Sequence, residues 1–244
     1  MILMYHHVAP PESVPFEHRN INHTPAGFER QLRELLRRGY RFESLSDCLR
    51  NIGKTGAETP RTVQLTFDDG WVDHYQFALP ILRKLGLTAT FFVTTEHVHR
   101  GIDDPAKMSA RQMLELLDAG MTIGGHSRSH PTLTALSLVD ARAEIAGCRD
   151  DLQKALGIEA DFFAYPGGAF NPSVAQLVVE AGYRAACSVI GPARNDASTT
   201  YWLYRDVLTE EMNAPRDRYR LSPLARRLLE FRVKKRLALR LLDR

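Results

Sequence analysis

The run Leu65-Thr66-Phe67-Asp68-Asp69-Gly70 places two carboxylates side by side at the end of an apolar, β-forming stretch, with a glycine directly after. Successive side chains of a strand point to opposite faces. At a strand end that turns on Gly70, the two carboxylates can therefore separate into different tasks, one binding a cation and the other staying free as a base. Adjacent unpaired carboxylates repel, and a nearby cation lets both remain ionised. Further along, Gly124-Gly125-His126-Ser127-Arg128-Ser129-His130-Pro131 carries two histidines at i and i+4. A single helical turn would put both on one face, and imidazole is the commonest protein metal ligand. One carboxylate with two histidines makes a three-ligand set with positions left for water and substrate, the mark of a catalytic rather than a structural site. Each piece alone also fits a blander reading, a strand-end turn or a polar surface turn. The same set builds non-haem iron oxygenases, in which the adjacent Asp68 would lack a role.

The elements that must position these residues alternate along the chain. Strands are expected over residues 2–5, 40–43, 63–67, 89–93, 121–124, 162–165, 185–189 and 203–208. Helices fall between them. Thr24 can cap one, with Pro25 at its first position and Phe28, Leu32, Leu35 and Leu36 as its apolar stripe. Residues 71–85 form another, ended by Gly86, and Ser109 with Gln112 makes a capping box for a helix ended by Gly120. Residues 138–156 follow, then 171–181 with Asn171 as cap and Pro172 in the first turn. Such alternation implies a largely parallel sheet with covered faces. The chemistry-bearing residues all fall at the C-terminal ends of strands, where α/β barrels place their active sites. Periodicity alone does not choose a barrel over an open sheet. Residues 53–60 read as a loop.

Length and composition suit one enzyme domain. The chain has 244 residues, 44% of them hydrophobic, and a formal net charge of +3, which gives no reason to expect a nucleic-acid partner. Cys48, Cys148 and Cys187 are scattered without metal-site spacing and read as reduced thiols. Neither an N-terminal apolar segment nor an apolar run of membrane-spanning length occurs. The expected location is cytoplasmic, with peripheral contact at the inner membrane face through the C-terminal segment. From Arg216 to Arg244 there are eleven Lys/Arg against three Asp/Glu. Ser222 and Pro223 can start a helix with Leu224, Leu228, Phe231, Ala238 and Leu242 on one side, which makes residues 222–243 a candidate for an anionic membrane surface. A helix docked on the barrel, or a frayed basic tail, fits the same residues. The chain divides into residues 1–212 as the catalytic domain and 213–244 as a basic amphipathic helix or tail.

Thr66-Phe67-Asp68-Asp69-Gly70, His126-Ser127-Arg128-Ser129-His130 and Phe163-Ala164-Tyr165-Pro166-Gly167-Gly168 together resemble the first three motifs of the polysaccharide deacetylases, carbohydrate esterase family 4 or the NodB-homology domain. The resemblance runs from about residue 1 to about residue 210. It implies an irregular (β/α)7, TIM-like barrel with a C-terminal helical extension. It makes Asp68 the general base, and Asp69, His126 and His130 the ligands of one divalent ion, Zn²⁺ ahead of Ni²⁺, Co²⁺ or Fe²⁺. The substrate it implies is an N-acetylated glycan, and the reaction releases acetate. Removal of an acyl group from a lipid-linked or small sugar shares the chemistry; a non-catalytic carbohydrate-binding relative would be expected to have lost the base or a ligand.

The chain also departs from the family pattern. The third motif usually carries an arginine that holds the base and a tyrosine whose backbone N–H serves the oxyanion hole; those places are Ala164 and Gly167. The Gly167 N–H can still donate, and Arg205 is the candidate replacement for the arginine. The late Leu-X-His motif that supplies the acid is absent, and no histidine follows His130. Ile2-Leu3-Met4-Tyr5-His6-His7-Val8 resembles the opening of the poly-N-acetylglucosamine deacetylase branch, with its permuted motif order, which assigns the acid to His6. His7 should face away from it. Trp71 and Tyr165 are candidates to wall the sugar. His18, His23, His74, His97 and His99 carry no motif support and are expected to be solvated or in loops.

Overall fold

The computed structural model describes residues 1–52, 61–191, 195–208 and 210. The loop expected over 53–60, the boundary expected after residue 212, and the amphipathic segment 222–243 lie outside the described residues. Ten strands are assigned among the described residues: β1 (Ile2–Tyr5), β2 (His7–Val8), β3 (Asn22–His23), β4 (Arg41–Phe42), β5 (Thr62–Phe67), β6 (Thr90–Val93), β7 (Thr122–Gly125), β8 (Phe162–Ala164), β9 (Ala185–Ser188) and β10 (Leu203–Val207). Seven of them form a closed parallel ring in the order β1-β10-β9-β8-β7-β6-β5, sealed by β1 against β5 through Ile2↔Gln64 to Tyr5↔Phe67. β4 pairs alongside the start of β5, and β2 with β3 forms a separate two-stranded sheet. This is the expected irregular (β/α)7 barrel.

The helices are α1 (Pro25–Arg37), α2 (Leu45–Asn51), α3 (Leu79–Leu85), α4 (Glu96–Arg100), α5 (Ala110–Asp118), α6 (Leu138–Leu156) and α7 (Pro172–Glu180). Their ends obey the signals in the sequence. Thr24 Oγ1 accepts the Gly27 N–H at 3.0 Å, Ser109 and Gln112 close a capping box, and Asn171 Oδ1 accepts the Val174 N–H at 2.8 Å. Two helices absent from the expectation are short: α2, started by a Ser44–Asp47 capping box, and α4.

The single helix expected over 71–85 is instead a π-helical turn, His74–Ala78, running into α3. Pro80 explains the change. It has no N–H to give to Gln76, and its ring would crowd that carbonyl. The turn widens so that the Leu79 N–H reaches the His74 carbonyl.

Strand residues alternate between two cores. Leu3, Tyr5, Phe91, Val93, Phe163, Tyr165 and Ala186 belong to the large core that also holds the helices. Ile2, Phe92, Phe162, Ala164, Ala185, Cys187 and Leu203 form a second cluster, which fills the ring. Gly124 shares that inner face because nothing larger fits: a Cβ there would lie 2.7 Å from the Phe92 ring and 2.8 Å from the Phe162 carbonyl. The same alternation carries Gln64 and Thr66 to Asp68, Gly124 to His126, Leu203 to Arg205, and Ile2 and Met4 to His6. All four of these polar side chains therefore meet at the C-terminal mouth of the barrel. Among the described residues, no helix is long and apolar enough to cross a membrane.

Candidate active site

Arg205 reaches Asp68 across the barrel mouth. Its Nη1 lies 2.6 Å from Asp68 Oδ1 and its Nη2 2.7 Å from Oδ2, and Nη1 also approaches Thr66 Oγ1 at 3.3 Å. The fork matches the carboxylate in two parallel bonds. Both groups are buried, Asp68 at 2% and Arg205 at 1% exposure. Burial alone would raise the Asp68 carboxyl, but the Arg205 guanidinium and the nearby imidazole of His126 hold it below its ordinary value. The arginine missing from position 164 thus has a spatial counterpart on β10.

Asp69, beside it, points to the histidine pair. Asp69 Oδ1 is 3.5 Å from His126 Nε2 and 3.4 Å from His130 Nε2, and one ligand atom from each of the three lies within 4.8 Å of the others. His126 Nδ1 lies 2.7 Å from the Ala164 carbonyl. That contact needs a proton on Nδ1, which leaves the Nε2 lone pair aimed at Asp69, as in a metal-ligating histidine oriented by its other nitrogen. Burial lowers the His126 pKa although Asp68 and Asp69 pull it upward, so the imidazole is kept neutral and free to bind a cation. The donor set fits a divalent metal.

The two histidines do not share a helical turn. Ser127 and His130 both take left-handed backbone, each at φ 62°, and the imidazoles meet edge to face with centroids 4.8 Å apart. Side chains stabilise this loop. Ser127 Oγ accepts the His130 N–H at 3.0 Å, and Glu144 Oε2 accepts the N–H groups of Arg128 and Ser129, each at 2.9 Å. Arg128 in turn grips Asp151 on α6 through Nε at 2.8 Å and Nη2 at 2.9 Å.

His6 continues the inner face of β1 and is half-buried beside this group. Burial lowers its pKa, opposed by the charges of Asp68 and Asp69. His7 faces the other way, as strand alternation requires. Its Nδ1 lies 2.6 Å from Asp73 Oδ2 and its Nε2 3.2 Å from His18 Nδ1. The His74 Nε2 contacts the His6 carbonyl, and Asp73 Oδ1 accepts the Val8 N–H at 3.2 Å. Of the histidines without motif support, expected to be solvated or in loops, His99 is exposed as expected, whereas His23 and His74 are buried. His74 and His23 are 0% and 2% exposed, His97 contacts the Met108 carbonyl, and His99 contacts Asp151. His23 lies on β3, His74 in the π-helical turn, and His97 and His99 on α4, so none of the four is in a loop.

Of the two expected sugar-walling residues, Tyr165 is placed otherwise. Tyr165 is fully buried, with its hydroxyl on the Tyr201 carbonyl at 2.8 Å and its ring stacked on Phe170. It belongs to the outer core because residue 165 has the opposite parity to Ala164. Trp71 lies at the site, half-buried. Lys107 Nζ is 3.4 Å from its ring centre, and the His7 imidazole stacks on it at 4.7 Å. Gly167 lies exposed at the tip of a short turn, at φ 59°. Lys107 and Asp73 were not legible as site residues, because each lies outside any motif and is recruited only when its loop folds back.

Comparison with known proteins places this geometry in context. Residues 55–186 match the family model for polysaccharide deacetylases. The chain is 28% identical over 191 residues to the peptidoglycan-N-acetylmuramic acid deacetylase PdaA of Bacillus subtilis, covering 75% of this chain and 65% of that protein. It is 25% identical over 209 residues to a poly-β-1,6-N-acetyl-D-glucosamine N-deacetylase of Staphylococcus aureus, covering 80% and 70%. The chain thus spans about two thirds of the length of these relatives. Among solved structures, the deacetylase PplD of Streptococcus pyogenes, in complex with acetate, superposes with a TM-score of 0.76 at 29% identity, covering 86% of this chain and 92% of that one.

Proposed function

The chain belongs to the polysaccharide deacetylase family, and from that premise we propose that it is a metal-dependent hydrolase that removes N-acetyl groups from an N-acetylated glycan and releases acetate. The observation that carries the reading is the side-by-side arrangement of Asp68, bound to Arg205, and Asp69, facing His126 and His130. An oxygenase built on the same three ligands would leave the Asp68–Arg205 pair without a task.

Asp69, His126 and His130 would hold the ion, for which Zn²⁺ is the first choice. When bound there, a divalent ion polarises the acetamide carbonyl and lowers the pKa of water. The remaining steps fall to the chain itself. Asp68, kept ionised and oriented by Arg205, takes a proton from the attacking water. His6, across the site, gives a proton to the nitrogen as the C–N bond breaks, so that the amine leaves neutral. The Gly167 N–H is proposed as a donor to the oxygen that gains charge. Water supplies one proton to each side of the balance, and the products are acetate and an amino sugar.

The test is an acetate-release screen of the full chain on N-acetylated oligosaccharides and peptidoglycan fragments, after chelation and reloading with Zn²⁺, Co²⁺, Ni²⁺ or Fe²⁺. Acetate release that depends on reloading supports the reading. No release from any N-acetylated glycan, with metal bound, would overturn it.

A further inference from the structure

Asp69 is held from three directions by groups outside the ligand set. Its backbone is left-handed at φ 74°, a region costly to a residue with a Cβ. Its carbonyl accepts from Lys107 Nζ at 2.8 Å and from Thr94 Oγ1 at 3.3 Å. Its Oδ2 accepts the Trp71 indole N–H at 3.1 Å. Only Oδ1 is turned to His126 and His130, at 3.5 and 3.4 Å. Trp71 and Lys107 are themselves joined: they form an antiparallel β-bridge, and Lys107 Nζ lies 3.4 Å from the indole ring centre. Flanking backbone bonds, Val72 N–H to Ala106 at 2.8 Å and Met108 N–H to Gly70 at 2.9 Å, stitch the two segments together.

We propose that Trp71 and Lys107 are positioning residues for Asp69. The indole N–H occupies Oδ2, so that the carboxylate presents a single oxygen, Oδ1, to a cation. Lys107 holds the left-handed backbone through the Asp69 carbonyl. Its charge on the indole face also draws electron density from the ring and strengthens the N–H as a donor. The two effects act in series on one carboxylate. With the indole donor removed, both oxygens become equally available and the ligand can turn bidentate. With Lys107 removed, the donor weakens and the strained residue is free to relax. This inference rests on the reading of Asp69 as a ligand.

The experiment is a metal titration of the full-length apoprotein with Zn²⁺ and Co²⁺, with no substrate present, for wild type, Trp71→Phe, Lys107→Met, Lys107→Arg and the double variant Trp71→Phe/Lys107→Met. Groups that orient a ligand typically cost about 10- to 100-fold in metal affinity when removed, and each of the first two variants is expected to lose that much. The visible absorption of bound Co²⁺ should change in intensity in Trp71→Phe, reporting an altered coordination number, which a general loss of stability would not produce. Lys107→Arg keeps the cation and should recover part of the affinity. The double variant should be weakened by less than the product of the two single effects, because both act through the same carboxylate. If Trp71→Phe does not fold, Lys107→Met, which keeps most of the side-chain volume, carries the test through affinity alone. A wild-type chain that binds either ion while both single variants match it in affinity and Co²⁺ spectrum overturns this proposal and leaves the ligand reading intact. A wild-type chain that binds neither ion overturns both.

Discussion

Arg205 grips both oxygens of Asp68 across 137 residues of sequence, and the two are brought to the same inner face, one strand apart, because β1 closes the ring between β5 and β10. An isolated buried carboxylate would be driven toward protonation; with a guanidinium bound in two parallel bonds it stays ionised and fixed in direction. Replacing Arg205 by Met should therefore cost more than a contact, since it leaves a buried charge without its partner. We expect turnover to fall by roughly 10²-fold or more, with metal content retained. Arg205→Lys should recover only a fraction, since an ammonium cannot make the fork. Metal content and steady-state turnover, measured on the same preparation, check this. Wild-type turnover in Arg205→Met would show that the pair is structural.

Asp68→Asn keeps the shape of the side chain and removes the proton acceptor; its single amide oxygen can accept only one of the two Arg205 N–H bonds. Metal should stay bound while turnover drops by roughly 10²-fold or more. Near-normal turnover in this variant would take the base from Asp68.

His126→Ala and His130→Ala should lower metal content and activity together, because each would delete a ligand. His126→Ala should also release the Ala164 carbonyl from its 2.7 Å contact and so lower the melting temperature, whereas His130, with 45% of its side chain exposed, should be lost with little effect on the apoprotein's unfolding. Elemental analysis and thermal unfolding separate the two. Full occupancy in either variant would sink the ligand assignment.

Much of this arrangement was legible in the sequence because it is governed by short-range rules. Strand parity from Ile2 and Met4 puts His6 inside and His7 outside, and caps at Thr24, Ser109 and Asn171 start their helices as written. What escaped depends on contacts that periodicity does not carry. Pro80 can open a helix at its first turn or interrupt one, and periodicity does not say which; here it interrupts, and Asp73 and His74 pack against the start of the chain. Tyr165 was expected beside the substrate because it lies in a motif, yet its parity with Phe163 sends it to the outer core. Lys107 has no local signal, since its role appears only through the bridge to Trp71.

The loop that presents His126 and His130 has a pH-sensitive anchor. Burial would raise the Asp151 carboxyl, but hydrogen bonds from Arg128, Thr95 and His99 outweigh it and hold the pKa below its ordinary value. A carboxylate depressed in the folded state contributes stability that is full above the unfolded value, about 3.9, and is lost as pH falls through the folded value. Asp151→Asn should cost about 1.5–3 kcal/mol at neutral pH, the range for hydrogen bonds to charged groups. The gap in melting temperature between wild type and variant should narrow as pH drops below about 4. A gap that stays constant from pH 7 to pH 3 would remove Asp151 from the acid-sensitive anchors.

His6 supplies the most discriminating test of the mechanism. An amine must be protonated to leave, whereas an activated ester has a leaving group that needs no proton. If His6 is the acid, His6→Ala should damage amide hydrolysis far more than hydrolysis of an activated acetate ester, with metal content unchanged. The pH dependence gives the second readout. Burial holds the His6 pKa below its ordinary value, and a cation bound near Asp69 would lower it further, so the two effects have the same sign. An acid works only while protonated, so amide turnover should decline with rising pH earlier than an exposed imidazole would dictate. That basic limb should disappear in His6→Ala. Equal loss on both substrates, accompanied by loss of metal, would instead make His6 part of the framework around Asp69, and the proton for the leaving amine would have to come from another group at the barrel mouth.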